Sequence, residues 1–158
     1  MPRRVRQTVA TVLPCLVLAF IFTQSLLPPA LSGAESSRVA ALIARILGAD
    51  SLLGRILIAY VRKLAHMFEY AVLSVTVVYL VHSAPWAGTH LVRMCAPLFG
   101  TAVGLIDELL IQHLSGRGAA LTDVLIDTGG YLIGYIAACL LADLIARRRA
   151  RRTPMPDA

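Results

Sequence analysis

The chain has 158 residues, 58% of them hydrophobic, and a formal net charge of +6. A water-soluble domain of ordinary composition is about 45–50% apolar, so a chain this short cannot hide the excess in a core, and a bilayer is the solvent its composition demands. The charge does not indicate nucleic acid: it gathers at the ends as Arg3, Arg4, Arg6 and as Arg147, Arg148, Arg149, Arg151, Arg152, with no aromatic-interleaved basic surface. Basic clusters flanking apolar segments belong instead to membrane topology.

A hydrocarbon core of about 30 Å takes about 20 apolar residues of helix to cross. The first such run goes from Thr8 to Leu27, interrupted by Pro14 and stopped by Pro28-Pro29. Its basic start and the small residues Ser32 and Ala34 imitate a signal peptide. The run is longer than the roughly 7–15 apolar residues of a signal, and cleavage would put the two basic ends on opposite sides, so a retained anchor is expected. From Leu31 to Arg55, Val39, Leu42, Ile43, Ile46 and Leu47 recur on one helical face, opposite Arg38 and Arg45. That pattern suits a short helix lying in the interface or one packed on the bundle's top. Further spans lie within Ile56–Val81, Leu91–Leu114 and Leu121–Ala146.

Four crossings return both basic ends to one side, with Arg93 in the loop between spans two and three; that side is assigned to the cytoplasm. Arg38, Arg45, Arg55, Arg62, Lys63 and Arg117 fall on the other. Cys15, Cys95 and Cys139 sit in three different spans without zinc-ligand spacing, in cytoplasmic halves where disulfides are not expected. The expected architecture is an all-α membrane protein. It is a four-transmembrane-helix bundle (residues 8–146) with a short amphipathic interfacial helix between helices one and two, a basic N-terminus (1–7) and a basic tail (147–158). It would be multi-pass, with both termini cytoplasmic.

Depth can be counted. Between Glu69 and His82 lies an uncharged stretch, Tyr70 to Val81, roughly 18 Å of helix; from Met94 to Asp107 is roughly 20 Å. Glu69, Asp107 and Glu108 are therefore level to within a turn. Asp123 and Asp127 open span four, and Gln24 closes span one at similar height. Ionisable groups thus share the outer third of the bundle, a costly placement that marks function by default. Lys63, His66, Glu69 and Tyr70 step by three or four and share a face. So do Gly100, Gly104 and Asp107/Glu108, and so do Asp123, Asp127, Gly130 and Gly134. The two Gly-xxx-Gly pairs allow close helix approach. If these glycine faces touch each other, Asp107 meets Asp127, and the Ser115–Gly118 turn hangs Arg117 above them. The competing reading is a structural ion-pair network of Lys63, Arg117, Asp107, Asp123 and Asp127 that fixes helix register.

Lys63-x-x-His66-x-x-Glu69-Tyr70 at the start of a membrane helix resembles the first signature of the VanZ-like family. Asp107-Glu108, Gly116-Arg117, Asp123-x-x-x-Asp127-Thr128 and Gly130 with Gly134 resemble the second, and Gln24-Ser25 suits the end of the family's first span. The resemblance covers about residues 10–145. It implies a small bacterial inner-membrane protein acting in the cell envelope, in a family associated with teicoplanin resistance. One departure stands out: where the family carries a His-Gln pair after Asp-Glu, this chain has Leu110 and Ile111. Gln112 and His113 come late, turned about 100° per residue on an α-helix.

The leading expectation is a pocket for an anionic envelope lipid or lipid-linked precursor. Lys63 and Arg117 would hold its phosphate or carboxylate. His66 and Glu69 form the proton-handling pair, with Asp107 the third catalytic candidate. Asp107, Asp127 and Glu108 would orient them or hold a divalent cation, while Tyr70, Asp123 and Gln24 complete the ligand-binding set. No resident metal site is expected from the sequence, which leaves the cofactor unknown. Membrane lipids are the expected partners, and nucleic acid is not. A membrane hydrolase or transferase acting on a lipid phosphate is the second reading, although Gly-x-Ser-x-Gly and His-Glu-x-x-His are absent. A proton-coupled carrier would need polar groups continuing toward the cytoplasm. A bare scaffold, whose charges only cap the bundle, is the fourth.

Overall fold

The computed structural model describes residues 2–114 and 120–151, which form helices and turns with no strand among them. In chain order these are α1 (Arg3–Leu26), α2 (Pro29–Leu47), α3 (Leu52–Ser83), a 3-10 turn (Pro85–Gly88), α4 (His90–Ile106), a π-turn (Asp107–Ile111), α5 (Gln112–Leu114) and α6 (Leu121–Ala150). Four stretches are long and apolar enough to cross a membrane: α1, α3, α6 and the combined run His90–Ile111. They coincide with the four spans read from the sequence.

Local chemistry sets the ends. Pro28 and Pro29 close α1 and open α2, where a proline at the first helical position forfeits no hydrogen bond. Gly48, at φ +79°, ends α2 in the left-handed region that glycine enters without a steric penalty. Ser51 Oγ then accepts from the Gly54 amide (3.0 Å) and starts α3. Thr89 does the same for α4 through Val92 (3.5 Å).

The exterior is inverted relative to a soluble bundle. Leu16, Phe20, Leu98, Leu125, Ile133 and Leu140 are each more than half exposed, as suits helices solvated by lipid chains. The core is small: Ile21, Tyr70, Leu73, Val77, Val81, Ala96, Val103 and Tyr131. Because lipid is as apolar as leucine, close packing and internal hydrogen bonds must join the helices. Glycine does much of this. A Cβ at Gly130 would strike the backbone carbonyl of Met67, and one at Gly134 would strike Ala71 and Ser74, so α6 lies directly on α3. Gly100 lies under the ring of Tyr131, whose hydroxyl donates to Ala96 O at 2.7 Å. The two glycine pairs therefore do not face each other. Gly100 and Gly104 receive α6, whereas Gly130 and Gly134 receive α3, because α3 wedges its small residues against the second pair.

At 32 residues, α3 is about 48 Å long and outruns a 30 Å core. Its first turns are flanked by α2, which folds back along them as a helical hairpin. The segment between the first two spans is thus a 19-residue helix, longer than the sequence pattern suggested. Its half-buried side is mostly small: Ser32, Ser36, Ala40, Ile43 and Ala44. Of the predicted apolar face, Ile43 is half-buried, whereas Val39, Leu42, Ile46 and Leu47 remain exposed.

Candidate functional site

The polar residues gather where α1 ends, α4 passes into its π-turn and α6 begins. Asp107, Glu108, Gln112 and Asp127 are all buried, between 0% and 4% exposed. One ligand-capable atom from each of His66, Asp107 and Asp127 lies within 4.8 Å of the other two. Counting along the helices levels Asp107 with Glu69 and Glu108 and leaves Asp127 at the opening of span four; the fold brings Asp127 beside Asp107 and His66. Ser25, in the last turn of α1, donates from Oγ to Asp107 Oδ2 at 2.8 Å. Its neighbour Gln24 instead turns toward α2, with Nε2 3.5 Å from Glu35 Oε2.

Glu108 has a definite structural task. Ala120, at the N-cap of α6, has no side chain able to cap the helix, and Glu108 Oε1 accepts its backbone N–H at 2.6 Å. A carboxylate there satisfies an orphan donor and sits at the positive end of the helix dipole. Gln112 Nε2 donates to the other oxygen of Glu108 and lies 3.5 Å from Asp107 Oδ2.

Gln112 is the residue that sequence reasoning discounted. On a continuous α-helix its late position would rotate it away from Asp107. The backbone over Asp107–Ile111 instead makes a π-turn, in which the Gln112 amide bonds to Asp107 O five residues back. One extra residue is accommodated in the wider turn, and Gln112 returns to the polar side while Leu109 and Leu110 stay exposed. π-bulges of this kind occur often at functional sites. A one-residue displacement of a polar side chain beside two carboxylates was the available signal.

Helix α3 presents two adjacent faces. On one, Lys63 Nζ reaches Asp123 Oδ1 at 3.7 Å, an exposed pair worth about 0–1 kcal/mol, and Tyr70 is fully buried against Gly104. On the other, Arg62, Ala65 and Glu69 line a groove shared with α1 and α2. Gln24, Ser32, Glu35, Ser36, Val39, Ile43 and Phe68 complete much of its wall, and His66 stands at the seam. The groove encloses about 410 Å³, within the usual range for small-molecule sites. Three buried polar atoms here lack hydrogen-bond partners among the described residues: Glu69 Oε2, Tyr70 Oη and Asp127 Oδ1.

Of the predicted ligand-binding residues, His66, Glu69 and Gln24 line the groove, and Tyr70, Asp107, Glu108 and Asp127 are buried beside it. Lys63 and Asp123 pair at the rim. Arg117 lies outside the described residues, as does the side chain of His113. Arg62, which the sequence reading passed over in favour of Lys63, is the groove's cation.

The VanZ/LLP1 family profile matches residues 10–142, nearly the whole bundle. The chain belongs to the VanZ/LLP1 family. With its four membrane-spanning helices it is a VanZ-like multi-pass membrane protein. No curated protein and no solved structure matched it.

Proposed function

We propose that this VanZ-like protein resides in the bacterial cytoplasmic membrane with both termini in the cytoplasm, and that its α1–α2–α3 groove binds an anionic envelope lipid or lipid-linked precursor from the outer leaflet. The observation that carries the reading is the groove's make-up. Val39, Ile43, Val61, Leu64 and Phe68 offer an apolar wall for an acyl or prenyl chain, and Arg62 and His66, one turn apart on α3, line the same groove and would receive a headgroup. Arginine suits this task because its planar fork takes two oxygens of a phosphate at once. The α2 hairpin, with Leu42 and Ile46 exposed beside Arg38 and Arg45, would lie at the lipid–water boundary. The family's association with teicoplanin, which concerns the envelope, accords with this site. Glu35 and Glu69 oppose a bare anion, so the headgroup would lie against Arg62 and away from the Gln24–Glu35 side.

The test is mass spectrometry of lipids retained through purification. Wild type should keep an anionic lipid enriched over its membrane abundance. Arg62→Ala should lose it by about tenfold or more, the scale of a charge-assisted contact of about 1.5–3 kcal/mol, while Lys63→Ala should keep it. Lipid content that mirrors the membrane in all three proteins would refute the proposal. A hydrolase or transferase acting on the same lipid is the second reading, favoured by the convergence of His66, Asp107 and Asp127. It would appear as turnover of a lipid phosphate that is lost in His66→Gln.

A further inference from the structure

We propose that His66, Asp107 and Asp127 form a binding site for one divalent transition-metal ion at the buried floor beside the groove. The three residues come from three separate segments, the middle of α3, the π-turn and the start of α6, so no sequence motif announces them. Each offers one nitrogen or carboxylate oxygen, and the three atoms lie within 4.8 Å of one another. Ligands held about 2.0–2.2 Å from a zinc ion sit roughly 3.5 Å apart, a spacing that small rotations of these side chains supply. One imidazole and two carboxylates suit zinc, manganese or iron better than magnesium or calcium, which favour oxygen alone.

Closeness of acids would not by itself make a site. Independent support comes from the polar atoms left over. Asp127 is 1% exposed, and its Oδ1 has no hydrogen-bond partner among the described residues. The hydroxyl of Tyr70, a fully buried residue, is likewise unpartnered. Both belong to the same spot: the Asp127 Cβ and the Tyr70 ring would lie 3.6 and 3.8 Å from a Cβ at Gly104, so both pack against that glycine. Buried carboxylates require a proton, hydrogen bonds or a cation, and one doubly charged ion offsets Asp107 and Asp127 together. Three protein ligands leave coordination positions free. The neighbours support the trio: Ser25 fixes Asp107 Oδ2, as an outer partner orients a metal-ligating carboxylate. The inference does not depend on which lipid fills the groove.

The experiment uses the full chain in detergent, freed of lipid and stripped with a chelator, then titrated with Co2+ followed by visible absorption and displaced with Zn2+. Wild type should take up about one ion per chain with the intense bands of a four- or five-coordinate nitrogen/oxygen site. Asp127→Asn and His66→Gln should each weaken binding at least tenfold, and Asp143→Asn, at the opposite end of α6, should not. If Asp127→Asn fails to assemble, His66→Gln decides, because His66 is the least buried of the three. Monodisperse wild type that takes up no stoichiometric Co2+ or Zn2+ would overturn the proposal, as would unchanged affinity in His66→Gln. Metal retained while the lipid prediction fails would refute the lipid reading alone.

Discussion

Gly129 and Gly130 are adjacent in sequence and opposite in surroundings. Nothing lies within 4 Å of a Cβ built at Gly129, whereas at Gly130 the Met67 backbone stands in its place. Gly129→Ala should therefore be neutral or stabilise by up to about 1 kcal/mol, the usual gain of alanine over glycine in a helix. Gly130→Ala should cost about 1–3 kcal/mol or more, since backbone cannot yield as a flexible side chain can. Thermal unfolding in detergent separates the two; equal effects would mean that α6 does not rest on α3 as described. At this scale the sequence was partly legible. Helical spacing marked Gly130 as an interface glycine but could not say which neighbour it met. The same ambiguity separates Arg62 from Lys63. One residue is about 100° on a helix, and whether α2 or α6 lies on a given side is decided by packing elsewhere.

At the scale of the element, the π-turn is the feature that helical counting misses. Counting assumes a constant rotation per residue, and Asp107–Ile111 breaks that assumption. If the turn houses one surplus residue, deleting Leu110 should convert it to α-helix and leave Gln112 near Asp107 and Glu108, at little cost in stability. Deleting Ala102, inside the regular part of α4, should rotate everything after it and unfold or aggregate the protein. Gel filtration and thermal unfolding of the two deletions check this; equal damage would mean the wide turn is not an absorbed insertion. The end of α1 was more legible: Pro28-Pro29 acts through its own backbone chemistry, with little help from tertiary contacts. The length of α2 was not, because apart from Ile43 its packed face is built of serines and alanines that carry little hydrophobic signal.

Over the whole molecule, composition, four apolar runs and paired arginine clusters indicated a bundle, and the depth count indicated one polar end. What those measures could not supply is division of that end into a groove and a buried floor. That division arises because α3 carries Arg62 and Glu69 toward α1 and α2, and Tyr70 toward α4 and α6. Reporter fusions at the N-terminus, the C-terminus and the Gly48 turn test the topology: the first two should report cytoplasm and the third the exterior. A cytoplasmic Gly48 would turn the groove to the wrong leaflet for an outer-leaflet lipid.

Native mass spectrometry of the purified chain, released gently from detergent, most directly tests whether the polar end is a ligand site. Wild type should carry one defined anionic lipid adduct that Arg62→Ala loses and Lys63→Ala keeps. Bare chain, or the same unselective ladder of phospholipids in all three proteins, would contradict it.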